Sequence, residues 1–283
     1  MGVSLTDAQW ARIEPLLPDR TQKRGGRWLD HREVIDATAF KFQTGSQWVH
    51  LPERYGNWRG VYNRLRVWAV DGTWERVFTA LMAQADAHED LDWAVSVDST
   101  IVRAHQHAAG ARPKGAPAGE PDDRATGRSR GGLTTKLHLA ADGRCRPLAF
   151  VLTAGQAGDA PAFTAVMGRL RVPRPRGRPR TGPDVVLADK AHSSRAIRDH
   201  LRRRGIRTVI PIPADQRANR LRRGSRGGRP PAFDREAYKQ RNTVERCINR
   251  LKQWRGIATR YEKTATIYLA GLHIAGIFLR SAR

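Results

Sequence analysis

Residues 93–102, WAVSVDSTIV, alternate apolar and polar side chains with a period of two, the pattern of a half-buried β-strand. Valines on either side of Asp98 bury that strand, and a carboxylate in such surroundings is costly unless it is paired, hydrogen-bonded or bound to a metal. Downstream, TTKLHLAAD (134–142) and CRPLAFVLTAG (145–155) read as two further strands, joined by a turn at Asp142 and Gly143. PAFTAVMGRL (161–170) has helical spacing, DVVLADKAH (184–192) is a buried strand, and SSRAIRDHLRRRG (193–205) is a helix opened by Ser193 or Ser194. IRTVIPI (206–212) is a fifth strand, and after a basic loop a long helix begins near Phe233.

Upstream the period becomes helical. Thr6 with Gln9 has the pattern of a capping box opening a helix that runs to Leu16 and stops at Pro18; Asp30 with Glu33 repeats it ahead of EVIDATAFKFQTG (33–45), which Gly45 ends. WRGVYNRLRVWAV (58–70) places Trp58, Val61, Leu65 and Trp68 along one side and leaves Arg59, Asn63, Arg64 and Arg66 mostly on others. This matches the basic last helix of a small all-α, helix-turn-helix-like domain, with Arg59, Asn63 and Arg64 as DNA contacts; a helical cap with solvated arginines fits the same spacing. Trp48, Trp58, Trp68 and Trp74 read as core. The division predicted is residues 1–92, helical and DNA-binding, and residues 93–283, an α/β unit. Its order β-β-β-α-β-α-β-α is that of the RNase H-like fold, a mixed sheet flanked by helices, here with a basic loop near 171–232.

The 283 residues carry 51 Lys and Arg against 27 Asp and Glu, a net charge of +24 that calls for a polyanionic partner, nucleic acid before acidic membrane. Residues 1–95 hold 12 basic and 13 acidic side chains, so the excess lies wholly in the remainder. Within residues 169–229, PRPRGRPR (173–180) and RRGSRGGRP (222–230) read as mobile phosphate binders, and PKGAPAGEPDD (113–123) as a second flexible loop. Cys145 and Cys247, without C-x-x-C spacing, encode neither a disulfide framework nor a zinc ribbon and suit a reducing compartment. No secretory signal is evident, and the most apolar run, Ile267 to Leu279, is too short for a membrane span, so no membrane partner is expected. His105, His107 and His138 lack cysteine or acidic partners at ligand spacing, and GRSRGGLTTK (127–136) lacks the order of a nucleotide-binding loop.

Asp189 closes the fourth strand, at the carboxyl edge where open α/β sheets place their ligands. Strands one and four are neighbours in the predicted topology, so Asp98 and Asp189 converge, and two adjacent like charges call for a cation. One capping and one salt-bridged aspartate is the plainer alternative. On the long helix, Tyr238, Arg241, Glu245 and Lys252, spaced 3, 4 and 7, fall within roughly 60° of one face. Val244, Cys247, Ile248, Leu251 and Trp254 occupy the adjoining arc and would bury against the sheet.

Y-x2-R-x3-E-x6-K at Tyr238, Arg241, Glu245 and Lys252 resembles the signature helix of bacterial insertion-sequence DDE transposases. VDSTIVRAHQH (97–107), RSRGGLTTKLHLAADG (128–143), LADKAH (187–192) and RNTVERCINRLKQWRG (241–256) resemble the same family in order and spacing. LTDAQWARIEPLLP (5–18), DHREVIDA (30–37) and LPERYGNWRGVYNRLRVW (51–68) look like the helical domain that precedes its catalytic core, so the resemblance covers nearly all of the chain. Two places depart: His192 stands where the family commonly has Tyr, and QWVHLP (47–52) lacks a Trp-Arg pair.

The resemblance implies that Asp98, Asp189 and Glu245 are both the catalytic triad and the ligands of two Mg2+ ions, with Mn2+ as a substitute. Ions about 3.5–4 Å apart would supply a metal-bound oxygen nucleophile and stabilise the leaving 3′ oxygen. It further implies double-stranded DNA as partner, cut at the element's terminal repeats and joined at target DNA by the freed 3′-OH. Arg241 and Lys252 would grip phosphate, Tyr238 would lie beside the cut strand, and at least a dimer would hold two ends. A bacterial, cytoplasmic and nucleoid-associated location follows. An RNase H-like DNA nuclease without strand transfer, and a DNA-binding regulator that has lost catalysis, are the competing functions.

Overall fold

The computed structural model describes residues 4–19, 29–110, 116–117 and 119–281; part of the loop expected at 113–123 lies outside the described residues. Seven strands make one sheet: β1 (Ala94–Ala104), β2 (Gly127–Ser129), β3 (Gly132–Ala141), β4 (Pro147–Ala154), β5 (Val185–Ala188), β6 (Arg207–Val209) and β7 (Thr259–Arg260). β3 runs antiparallel to β1, β2 and β4, which yields the expected meander, and β5 lies parallel to β1 and β6 parallel to β5. This mixed order, β4-β3-β1-β5-β6, is the RNase H-like arrangement read from the sequence. The turn before β4 is wider than a two-residue Asp-Gly turn. The Asp142 carboxylate accepts the backbone N–H groups of Arg144 and Arg146 at 3.0 and 2.9 Å, and Cys145 takes a left-handed φ of 59°.

Among the described residues four α-helices precede the sheet: α1 (Asp7–Ile13), α2 (His31–Thr44), α3 (Trp58–Val70) and α4 (Thr73–Ala87). Thr6 and Gln9 close the capping box at α1, Asp30 caps α2 through the N–H groups of Arg32 and Glu33, and Gly45 ends α2 at a φ of 70°. After β1 comes a short α5 (Gln106–Ala109). Then α6 (Asp159–Arg169) packs on β3 and β4, and α7 (Arg195–Arg203), capped by Ser194, packs on β6. Where a basic loop was expected after the fifth strand, residues 214–222 form α8 (Ala214–Arg222), which buries no side chain. The other arginine-rich piece is pinned at its end: Arg180 bridges to Val172, pairs with Asp184 at 2.5 Å and lies 3.9 Å over the Trp93 ring.

The long helix expected from Phe233 is instead two, α9 (Arg235–Lys239) and α10 (Asn242–Lys252). Between them the N–H groups of Gln240, Arg241, Thr243 and Val244 bond three residues back, tightening the turn where Arg241 and Thr243 dock onto β1. A short α11 (Arg255–Ala258) leads to β7, and α12 (Ala265–Ser281) closes the fold.

α12 is what joins the helical part to the sheet. It packs on α2, α3 and α4 and also on β4, and one continuous apolar core runs from Leu5 and Phe42 through Val95 and Leu137 to Leu279. Two of its glycines make room for rings from the other part. A Cβ at Gly271 would stand 2.4 Å from Phe42, and one at Gly276 would stand 2.6 Å from Phe78. Among the described residues, no helix is long and apolar enough to cross a membrane.

Candidate active site

The site lies in a gap along one edge of β1. β5 pairs residues 94–97 of that strand and β7 pairs Arg103 and Ala104, so among the described residues no strand covers residues 98–102 on that side. Asp98 opens the gap. Asp189 follows Ala188, the last residue of β5, which is in register with Val97, so Asp98 within β1 and Asp189 just past the end of β5 stand at the same level on adjacent parallel strands. Such a crevice beyond the carboxyl ends of neighbouring strands is where α/β sheets hold ligands.

α10 crosses this gap, and alternate residues of β1 each take a partner from its segment. The Thr243 hydroxyl lies 3.0 Å from that of Ser96, Arg241 donates to Asp98 at 2.7 Å, and the Lys252 ammonium donates to the Thr100 hydroxyl at 2.6 Å. The period of two puts all three contacts on one face. Arg241 reaches further: its second terminal nitrogen is 2.7 Å from Glu245, so one guanidinium bridges Asp98 and Glu245. Burial raises the Asp98 carboxyl above its ordinary range; the Ser99 N–H and Arg241 oppose this, and Asp189 adds to it. Tyr238, against the ring of Phe233, is raised by burial as well. Arg241 opposes that shift, while Asp189, Glu245 and Asp98 all reinforce it.

Asp189 is held from its own side of the sheet. Its carboxylate accepts the Ala191 N–H at 3.0 Å and contacts Nδ1 of the buried His192 at 2.9 Å, while the His192 ring leans on Phe163 of α6. On the face opposite α10, Ser99 donates to Asp159 at 2.5 Å and Lys136 pairs with Asp159 at 2.8 Å. His138 sits 3.8 Å from Asp159 and bonds Thr153; burial lowers it to about 4, with Asp159 opposing, so it is neutral at pH 7. None of these supporting residues was assigned a role from the sequence. Their signal was there: Lys136 and His138 alternate with leucines on a central strand, where polar side chains need partners.

The donor set suits a hard divalent cation: Asp98 on β1, Asp189 just past β5 and Glu245 on α10 offer carboxylate oxygens along one gap. Among the described residues no three His, Cys, Asp or Glu side chains stand close enough together to hold a metal ion, and Arg241 pairs with both Asp98 and Glu245. His105 and His107 stack on each other away from this set.

The family model described as "Transposase DDE domain" matches residues 89–278. The chain belongs to the DDE transposases. A second model, "Putative transposase of IS4/5 family", matches residues 5–78. The "Putative transposase for insertion sequence element IS6501" of Brucella ovis is 32% identical over 50% of this transposase and 95% of its own length. The "Putative transposase for insertion sequence element IS402" of Burkholderia cepacia is 32% identical over 58% of this chain and 66% of its own. An uncharacterized protein y4sN of Sinorhizobium fredii is 41% identical over 38% of this chain and 82% of its own.

Elsewhere on the transposase, the residues read as DNA contacts separate. On α3, Arg59 and Asn63 are exposed, and Arg66, Val67 and Val70 join them on the same face. Arg64 instead folds back, 5.7 Å over the Trp68 ring, and burial lowers its pKa, so it does not share that face. Trp68 and Trp74 are core as expected, whereas Trp48 and Trp58 are half-buried. α8 carries exposed Arg217 and Arg222, with Arg223 following, and Gln216 at its start accepts from Ser193, four residues after Asp189.

Proposed function

We propose that this insertion-sequence transposase cuts and joins DNA at Asp98, Asp189 and Glu245, which would hold two divalent ions, Mg2+ or in its place Mn2+. The observation that carries the reading is the Val97–Ala188 register, which sets Asp98 and Asp189 at one level on neighbouring strands while Arg241 links Asp98 to Glu245 of α10. When bound, the ions supply the activation of water or 3′-OH and the stabilisation of the leaving oxygen that phosphodiester chemistry needs. The chain's own residues do the rest. His192 and the Ala191 N–H fix the orientation of Asp189, and the Ser96–Thr243 contact fixes α10 against β1. Lys252, beside Thr100, and Tyr238 line the approach to the carboxylates and would hold the scissile phosphate.

Double-stranded DNA would reach this site along α8 and the neighbouring arginines, while residues 1–92 recognise the element's terminal repeats through Arg59, Asn63 and the adjoining Arg66 of α3. Two ends must be held together, so the working form is at least a dimer, and the protein acts at the bacterial nucleoid in the cytoplasm. The test is incubation with labelled element ends, a target plasmid and Mg2+. Joined products are expected; cleavage that never yields joined products would replace this reading with a nuclease without strand transfer, and binding without either would leave a regulator.

A further inference from the structure

We propose that Arg241 is a positioning residue that keeps the carboxylates closed to metal until DNA draws it away, so that metal binding is coupled to DNA binding. The inference rests on the reading of Asp98 and Glu245 as metal ligands. One guanidinium, only 20% exposed, stands 2.7 Å from both of these acids, and a cation of any other kind must displace it to reach both. The displaced Arg241 needs somewhere to go, and its present posture is incomplete: its Nε is buried and finds no hydrogen-bond partner among the described residues. A buried N–H left unmade is costly, so this posture is a resting place that a better acceptor can empty. Phosphate is that acceptor, since a guanidinium fork matches its oxygens with two parallel bonds.

The switch has two states. Without DNA, Arg241 neutralises the charge that burial and Asp189 make unfavourable on Asp98. With DNA phosphate beside α10, the arginine swings outward, and Asp98 and Glu245 are released together. The order prevents the acids from holding a competent metal set when no substrate is present.

The experiment is a Mn2+ titration of the full-length protein, followed by the electron paramagnetic resonance of free Mn2+, with and without a 30-base-pair duplex, on wild type, Arg241→Gln and Asp98→Asn. DNA phosphates add some metal affinity to every variant, so the quantity read is the ratio of affinities with and without duplex. That ratio is expected to be about tenfold larger in wild type than in Arg241→Gln, within the usual range for coupled sites. Arg241→Lys, which offers one point donor in place of a fork, is expected to show a reduced ratio too and serves if the Gln variant misfolds. Equal ratios in wild type and the Arg241 variants overturn the coupling while leaving the metal site intact. Mn2+ binding that Asp98→Asn leaves unchanged overturns the metal-ligand reading itself.

Discussion

The contact between Gly271 of α12 and Phe42 of α2 gives a prediction whose sign depends on the partner. Alanine at 271 places a Cβ 2.4, 2.5 and 2.9 Å from three atoms of the Phe42 ring, below any real carbon contact. The ring has little room to retreat: Phe42 is fully buried, and Gly256 of α11 also lies close to it, where a Cβ would be 3.2 Å from its Cδ1. Overpacking of this kind costs about 1–3 kcal/mol. Against it, alanine in a helix interior is worth about 1 kcal/mol over glycine. The net for Gly271→Ala is a loss of up to about 2 kcal/mol, or up to roughly 4 °C in Tm for a chain of this size. Shortening the ring removes the clash but not the helical gain. In a Phe42→Leu background, the same Gly271→Ala change is therefore expected to be neutral or stabilising by up to about 1 kcal/mol. Calorimetric melting of the four proteins measures both steps. A rise in Tm on Gly271→Ala alone, or the same loss in both backgrounds, would refute the argument that α12 and α2 meet glycine to ring.

Three further outcomes are expected. His138, lowered to about 4, and His273, lowered to about 3 by burial, both stay neutral in the fold, so the unfolded chain takes up protons first. Stability is then fully present above about pH 6.5 and falls on acidification through pH 4. His138 alone accounts for roughly 3 kcal/mol, and a Tm that is constant from pH 7.5 to 4.5 would contradict this. Replacing Arg217, Arg222 and Arg223 with alanine should lower the slope of log affinity against log salt by about 2–3 for any duplex, read by fluorescence anisotropy, and an unchanged slope would remove α8 from the DNA path. Arg59→Ala or Asn63→Ala should weaken binding to an element end about tenfold while sparing random duplex, since base contacts carry about 1–3 kcal/mol each; equal losses on both would assign α3 to backbone contact alone.

The fold was legible in most elements that bury one face, although α4, which buries Trp74, Val77, Phe78, Leu81 and Met82, was not read as a helix. The alternation around Asp98 placed β1, and the apolar arc from Val244 to Trp254 placed α10 on the sheet, because burial leaves a periodic mark. Elements without that mark were missed. β2 and β7 are three and two residues long, and α8 buries no side chain, so its arginines read as loop. The candidate site was legible as residue types but not as contacts. Spacing could put Arg241 and Glu245 on one stripe, yet which acid the guanidinium takes depends on a side chain reaching across to a distant strand. Arg64 left the exposed face for a related reason: its guanidinium lies over the ring of Trp68, one turn further along α3.

The placement of catalysis at Asp98, Asp189 and Glu245 is tested most directly by strand transfer from a pre-cut element end in Mg2+, with Asp98→Asn, Asp189→Asn and Glu245→Gln taken one at a time. Each variant is expected to bind the end and yield no joined product. Joining at the wild-type rate by any one of them would show that its carboxylate is not part of the catalytic site.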